Sequence, residues 1–99
     1  MTEQTPEQIA ARIRHEPEAG RFVVDVDGVE AKIEYEREDG RVTILHTGVP
    51  PAIGGRGIAG ALVRTLLDWA RGAGLKVHAA CSYANAWIAR HPEYEDLRG

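Results

Sequence analysis

The stretch that most restricts what this chain can become runs over residues 49–68, VPPAIGGRGIAGALVRTLLD. Its proline pair ends an extended run, because proline donates no amide to a sheet ladder. Four glycines then fall within the seven residues 54–60. Ile58, Leu62, Leu66 and Trp69 follow at helical spacing, with Ala61 and Thr65 filling in, so an amphipathic helix runs from there to about Arg71. A glycine-rich turn feeding a helix leaves backbone N–H groups unpartnered at the positive end of the helix dipole. Such a place binds phosphate readily, and the pyrophosphate of a nucleotide-bearing cofactor is the first candidate.

The chain before this stretch reads as an antiparallel meander. Residues 1–8 are a polar tail, taken as flexible. Residues 9–15 fit either period: Ile9 and Ile13 suit a helix, while Ala11, Ile13 and His15 suit a strand, and a short strand over 11–15 is the expectation. EPEAG at 16–20 is a turn. From Phe22 the pattern alternates through Val26, Asp27-Gly28 signals a two-residue hairpin, and 29–37 alternates again with a charged face. Residues 41–49, RVTILHTGV, form a less charged strand, expected to be central and covered on both faces.

After the helix, Gly72 or Gly74 supplies the stop. LKVHAA at 75–80 is a short strand, and the strand–helix–strand order makes it parallel to 41–49. Residues 83–90 form a second helix stopped by Pro92, and Tyr94 in the tail packs back on the body. The fold class is therefore α/β (α+β): an antiparallel meander joined to one βαβα unit, a single domain over residues 9–99.

Composition narrows the class of function. An apolar fraction of 43% and a charged fraction of 27% describe an ordinary globular chain rather than a disordered one. Net charge is −3 with scattered basic residues, so nucleic acid is not an expected partner. No apolar run approaches the roughly 20 residues that span a bilayer, and the polar N-terminus is not a secretory signal, so no membrane role is expected and the cytoplasm is the default location. The single cysteine, Cys81, excludes an intramolecular disulfide and a multi-thiolate zinc cluster, and no metal is expected.

Gly55-Arg56-Gly57-Ile58-Ala59-Gly60 is literally G-x-G-x-x-G, a pattern of dinucleotide-binding folds that carries little information alone. There the first glycine directly follows the strand, whereas here Val-Pro-Pro-Ala-Ile-Gly intervenes, and LKVHAACS lacks the acidic residue expected at the next strand end. A Walker A loop is excluded because no Gly-Lys-Ser/Thr follows. The plain alternative is a tight strand-to-helix turn with no ligand.

Taken together, HTGVPP, GGRGIAGALV, the LKV strand and CSYANAWIARHPEY resemble the GNAT acetyltransferase superfamily, and in particular its small single-domain branch of N-acetyltransferases. The resemblance covers most of the chain, residues 22–97. It implies that acetyl-CoA (coenzyme A) is the cofactor, with Gly54, Gly55, Arg56, Gly57, Ile58, Ala59 and Gly60 holding the pyrophosphate and Arg56 adding charge. It also implies that strands 41–49 and 75–80 splay at their C-terminal ends. The pantetheine arm would pair with backbone at Thr47, Gly48 and Val49, placing the thioester near His46 and Cys81. The chain departs from the family at Gly54, where Gln or Arg is usual, at Gly48, where the branch has an acidic residue, at Ser82 and Tyr83, where it has Pro and Phe, and at Trp87, where tyrosine is common.

Acetyl transfer to an amine needs a base for the ammonium, donors for the thioester oxyanion and an acid for the leaving thiolate. Cys81 matches the branch's cysteine. It would act as a nucleophile forming an acetyl-cysteine or as an acid toward the CoA sulfur, or else it is a small buried hydrophobe. His46 is the best base candidate, and because it shares strand parity with Val42 and Ile44 a core histidine is the competing reading. Tyr83 is a second candidate acid. His78 reads as an ordinary sheet residue, His91 as capping or packing the last helix, His15 as surface, Asn85 as surface polar, and Trp69 and Trp87 as core.

The expected function is acetyl-CoA-dependent N-acetyl transfer to an amine-bearing acceptor. Full-length members of the superfamily carry extra N-terminal helices over the acceptor site, for which this chain has no room, so an open acceptor side suited to a peptide or protein lysine is expected. The alternative is a non-catalytic CoA- or acyl-CoA-binding module that regulates a partner.

Overall fold

The computed structural model describes residues 5–99, and of Pro6 only its backbone. It opens with a helix, α1 (Pro6–Arg12), where a polar tail and then a strand were expected. The expected tail covers 1–8, of which 1–4 lie outside the described residues. Thr5 and Gln8 form a reciprocal capping box, the Thr5 side chain accepting from the Gln8 amide at 3.2 Å and the Gln8 side chain accepting from the Thr5 amide at 2.8 Å. With proline as first helical residue and Ile9 fully buried as the anchor, the turn forms despite its polar composition. The strand that follows is only β1 (Arg14–Glu16).

Next come β2 (Arg21–Val26), β3 (Val29–Glu38) and β4 (Arg41–Gly48), all antiparallel neighbours. Asp27 and Gly28 take φ of 53° and 77°, the left-handed pair that a tight two-residue hairpin requires. After β4, one 3-10 turn (Pro51–Ile53) and the glycine loop lead into α2 (Ile58–Gly72). Gly74, with φ of 71°, closes α2: its amide donates to Arg71 and that of Leu75 to Ala70, satisfying the last carbonyls. Then β5 (Lys76–Ala79) joins β4 in parallel, and α3 (Ser82–Ala89) and a 3-10 segment (Pro92–Leu97) finish the chain. The sheet order is β1-β2-β3-β4-β5.

One apolar core joins the inner sheet face to the helices. Phe22, Val24, Ile33, Val42, Ile44 and Val77 from the sheet meet Ile58, Leu62, Leu66 and Leu67 of α2 and Trp87 and Ile88 of α3. Each fully buried aliphatic among them contributes about 1.5–3 kcal/mol. The other sheet face is largely polar, with Glu30, Glu36 and His78 exposed, although Val23 on it is fully buried. Thus β4 lies between two strands as expected, but only one of its faces is covered: Leu45 is 44% exposed and His46 is also exposed. The expectation of a strand buried on both faces does not hold.

The end of the sheet away from the glycine loop holds an aromatic cluster. His15 stacks on Phe22 at 4.0 Å, meets Trp69 edge-on at 4.7 Å and shares a 2.6 Å hydrogen bond with the Tyr35 hydroxyl. His15 is therefore half-buried and not the surface residue its polar neighbours suggested. At the C-terminus, Tyr94 packs into the core with its hydroxyl 2.7 Å from Asp68, and Arg71 grips Asp96. Among the described residues no helix is long and apolar enough to cross a membrane.

Candidate functional site

The β4–β5 ladder ends early. Register runs from Arg41↔Lys76 to Ile44↔Ala79, and the carbonyl of Ile44 then accepts from both Ala80 and Cys81, at 3.0 and 3.1 Å. Beyond that point β4 continues to Gly48 paired only with β3, so among the described residues its other edge carries no backbone hydrogen bonds. The two parallel strands part where 45–48 leave β5, leaving a strip of free backbone.

A bulge sits at this parting. Glu34 pairs with His46 and Tyr35 with Ile44, so Leu45 is an extra residue in β4. The extra residue inverts the alternation that the sequence implied. His46 therefore does not share the face of Val42 and Ile44 and is exposed rather than a core histidine. Thr47, opposite Ile33, returns to the inner face instead. The His46 ring leans toward Gly48: a Cβ placed there would stand 3.1 Å from Nε2. A side chain at 48 would press on this imidazole, which would have to shift by a few tenths of an ångström.

Thr47 meets Cys81 across the parting, Oγ1 to Sγ at 3.6 Å. Cys81 is the N-cap residue of α3 and half-buried. Its sulfur makes no capping hydrogen bond of ordinary geometry, yet it lies in the field of the helix start. Burial opposes ionisation, but the amide of Ala84, the hydroxyl of Thr47 and the amides of Tyr83 and Thr47 together outweigh it, and the thiol pKa is lowered. This is the microenvironment of a reactive cysteine rather than an inert core one. Next to it, burial and the Cys81 charge hold the Tyr83 phenol above its ordinary pKa against the opposing Arg90, so it stays protonated.

The glycine loop lies beside this parting. Ile53 and Ile58, each 1% exposed, pin its two ends into the core. Between them Gly55 and Gly57 both take φ of 75°, a region that side chains resist. Gly57 is the N-cap of α2 and no side chain caps the helix, whose first carbonyl bond is from the Ala61 amide to Gly57 at 3.0 Å. The N–H groups of the first turn, from Ile58, Ala59 and Gly60, are therefore open. Arg56 reaches Asp27 in the β2–β3 hairpin at 2.5 Å, so its guanidinium is engaged by a carboxylate.

Behind the loop, α1, α2 and α3 enclose a groove of about 500 Å³. Glu7 and Ala10 line it from α1, Gly57, Gly60 and Arg64 from α2, and Trp87 from α3, with His91 just beyond. Trp87 is buried as expected but also forms this wall. His91 stacks on the indole with ring centroids 3.6 Å apart and donates from Nδ1 to the Trp87 carbonyl at 2.7 Å, as a packing residue of the last helix.

The structure thus gathers Thr47, Cys81 and Tyr83 at one end of the parting and residues 54–60 beside it. His46 and Gly48 share its rim. His78 is exposed on the polar sheet face, and Asn85 holds Arg98 at 2.9 Å, so both stay outside the site. The grouping of Arg64 and Trp87 at the groove had no signal beyond helical spacing, Gly57 and Arg64 standing seven residues apart on one helix face. Among the described residues no three His, Cys, Asp or Glu side chains gather in a way that could hold a metal ion.

The comparisons with known proteins point the same way. Residues 21–97 match the family model of the GCN5-related N-acetyl-transferase. Protein NATD1 of mouse is 34% identical over 84 residues, covering 82% of this chain and 76% of its own. Protein NATD1 of Xenopus tropicalis is 32% identical over 84 residues, covering 82% and 77%. The solution structure of a GCN5-like protein of Staphylococcus aureus superposes with a TM-score of 0.70 at 28% identity, covering 88% of this chain and 86% of that one. The chain shares the overall fold of that neighbour, and it belongs to the GCN5-related N-acetyltransferase family.

Proposed function

We propose that this protein binds acetyl-CoA along the parting of β4 and β5 and transfers its acetyl group to an amine. The observation that carries the reading is a juxtaposition: an unpaired strip of β4 backbone runs between the open N-terminus of α2 and the activated thiol of Cys81. The residues suit that ligand. Gly55 and Gly57, at φ of 75°, keep side chains off the loop, and the first-turn N–H groups suit a diphosphate. Thr47, Gly48 and Val49 offer backbone for the pantetheine arm, and Gly54, Gly55, Arg56, Gly57, Ile58, Ala59 and Gly60 surround the phosphates. Arg56 would have to release or share Asp27 to add charge there.

When bound, the cofactor supplies a thioester carbonyl open to attack. The chain's own groups divide the remaining work. Cys81, whose thiol pKa is lowered, suits the role of a nucleophile that forms an acetyl-cysteine, with the acid's role toward the CoA sulfur as the alternative. The Tyr83 hydroxyl lies beside Gly60 at the start of α2, and the pantetheine arm separates a diphosphate held there from the thioester sulfur, so Tyr83 is not placed for the acid role. His46, exposed at the rim, is placed to take a proton from an incoming ammonium, and no carboxylate at position 48 competes for that task. The exposed rim favours an accessible acceptor such as a peptide or protein lysine.

Calorimetric titration with CoA, followed by a thiol-release assay over a panel of amines and lysine peptides, tests the proposal. Saturable CoA binding with amine-dependent release, lost in Cys81→Ala or His46→Ala, is the expected result. Binding without release from any amine would select a CoA-binding regulatory module, and absence of binding would remove the cofactor assignment altogether.

A further inference from the structure

Trp87 is 5% exposed and clamped, with His91 stacked at 3.6 Å and the Arg64 guanidinium 5.3 Å over its ring. Yet among the described residues its indole Nε1–H donates to nothing. A buried donor left without a partner is costly, and native proteins rarely leave one. The direction of this N–H is informative. It faces Gly60 in the first turn of α2: a Cβ there would stand 3.1 Å from Nε1 and 3.7 Å from the Tyr83 hydroxyl. Gly60 is helical and does not need its conformational freedom, and a side chain there would press on the indole edge.

Three kinds of donor therefore converge on one spot: the open N–H groups of the helix start, a buried indole N–H and a phenol that keeps its proton. Arg64 adds a guanidinium on the same helix face, 3.4 Å from the Tyr94 hydroxyl, while Glu7 across the groove on α1 is the one carboxylate in the lining among the described residues. A site composed almost wholly of donors calls for an acceptor-rich anion.

We infer that Trp87 Nε1 and the Tyr83 hydroxyl donate directly to the diphosphate oxygens of the ligand held at the start of α2. On this view α3 supplies side-chain donors to a loop whose position 54 has none. The inference rests on the CoA reading above for the ligand's identity, but its chemistry is that of a diphosphate at this spot.

The test is the indole ¹H–¹⁵N resonance of Trp87 in the full chain, assigned by its loss in Trp87→Phe. Adding CoA is expected to move it downfield, with the Trp69 indole unmoved; pantetheine, which lacks the diphosphate, should leave both in place. Trp87→Phe should weaken CoA about ten-fold or more without weakening pantetheine, since bonds to charged groups contribute about 1.5–3 kcal/mol. Tyr83→Phe, which keeps the ring, should weaken CoA in the same selective way should Trp87→Phe fail to fold. A wild-type chain that binds CoA with the Trp87 resonance unmoved and the variants unimpaired would overturn the inference and leave the proposed function standing. If CoA does not bind, the proposed function falls, and inorganic pyrophosphate then decides the indole: a downfield shift supports the anion site, and none overturns it.

Discussion

Gly57 and Gly54 flank the same loop, yet the structure predicts opposite outcomes for the same substitution. Gly57 has φ of 75° and ψ of 15°, where an L-residue is disfavoured by about 1–2 kcal/mol. Alanine also restricts the unfolded chain, returning about 0.4–1 kcal/mol. Taking the middle of each range, the net loss for Gly57→Ala is about 0.8 kcal/mol. In a domain of this size each kcal/mol moves the melting temperature by about 4–8 °C, so a fall of about 3–6 °C is expected. Gly57→Val should fall further because a branched Cβ resists this region more strongly. Gly54 has φ of −67°, and a Cβ there meets nothing closer than the Pro51 carbonyl oxygen at 3.4 Å. Gly54→Ala should therefore melt at or slightly above the wild-type temperature. Scanning calorimetry on the purified chains reads both. A Gly57→Ala variant as stable as wild type, or a Gly54→Ala variant losing as much as Gly57→Ala, would refute the left-handed assignment on which the open helix start depends.

Two further outcomes follow from the site and the aromatic cluster. Thr47→Val keeps shape but removes the hydroxyl 3.6 Å from the Cys81 sulfur, so the thiol pKa should rise; because Cys81 is the sole cysteine, the pH profile of iodoacetamide alkylation reports it cleanly, and an unshifted or lower midpoint would count against the contact. Burial lowers the pKa of His15 below its ordinary 6.5, so the unfolded state takes up the proton first: the neutral ring's contribution is intact above that pH and is lost as pH falls from about 6.5 toward the folded-state value. Urea melts between pH 7 and 5 should show stability falling, with a shallower fall in His15→Phe; equal slopes in both chains would contradict the burial argument.

The parts of this fold that were legible in the sequence are those with local chemistry. Asp27-Gly28 had to be a tight hairpin, the 3.6-residue period from Ile58 to Leu66 had to be a helix, and Gly74 was one of two candidate stops. The parting of the parallel strands and the thiol beside it came from the resemblance of HTGVPP and CSYANAWIARHPEY to a known family. What escaped was set by tertiary context. The Leu45 bulge leaves no mark in the sequence except two adjacent apolar residues, Ile44 and Leu45, yet it moves His46 out of the core and Thr47 onto the cysteine. The α1 start was readable in Thr5-x-x-Gln8 with proline between them, but the polarity of the segment masked it. His15 looked exposed because its partners, Phe22, Tyr35 and Trp69, come from three later elements. Trp87 fitted the helical period of a core residue, and the period says nothing about where its N–H points.

The central claim is that the β4–β5 parting and the start of α2 form one CoA site. Backbone amide shifts across the ¹⁵N-labelled chain during a CoA titration test it most directly. The account predicts saturable changes concentrated at residues 46–49, 57–60 and 81–84, with the outer strands β1 and β2 little affected. Changes confined to other surfaces, or none at millimolar CoA, would contradict it.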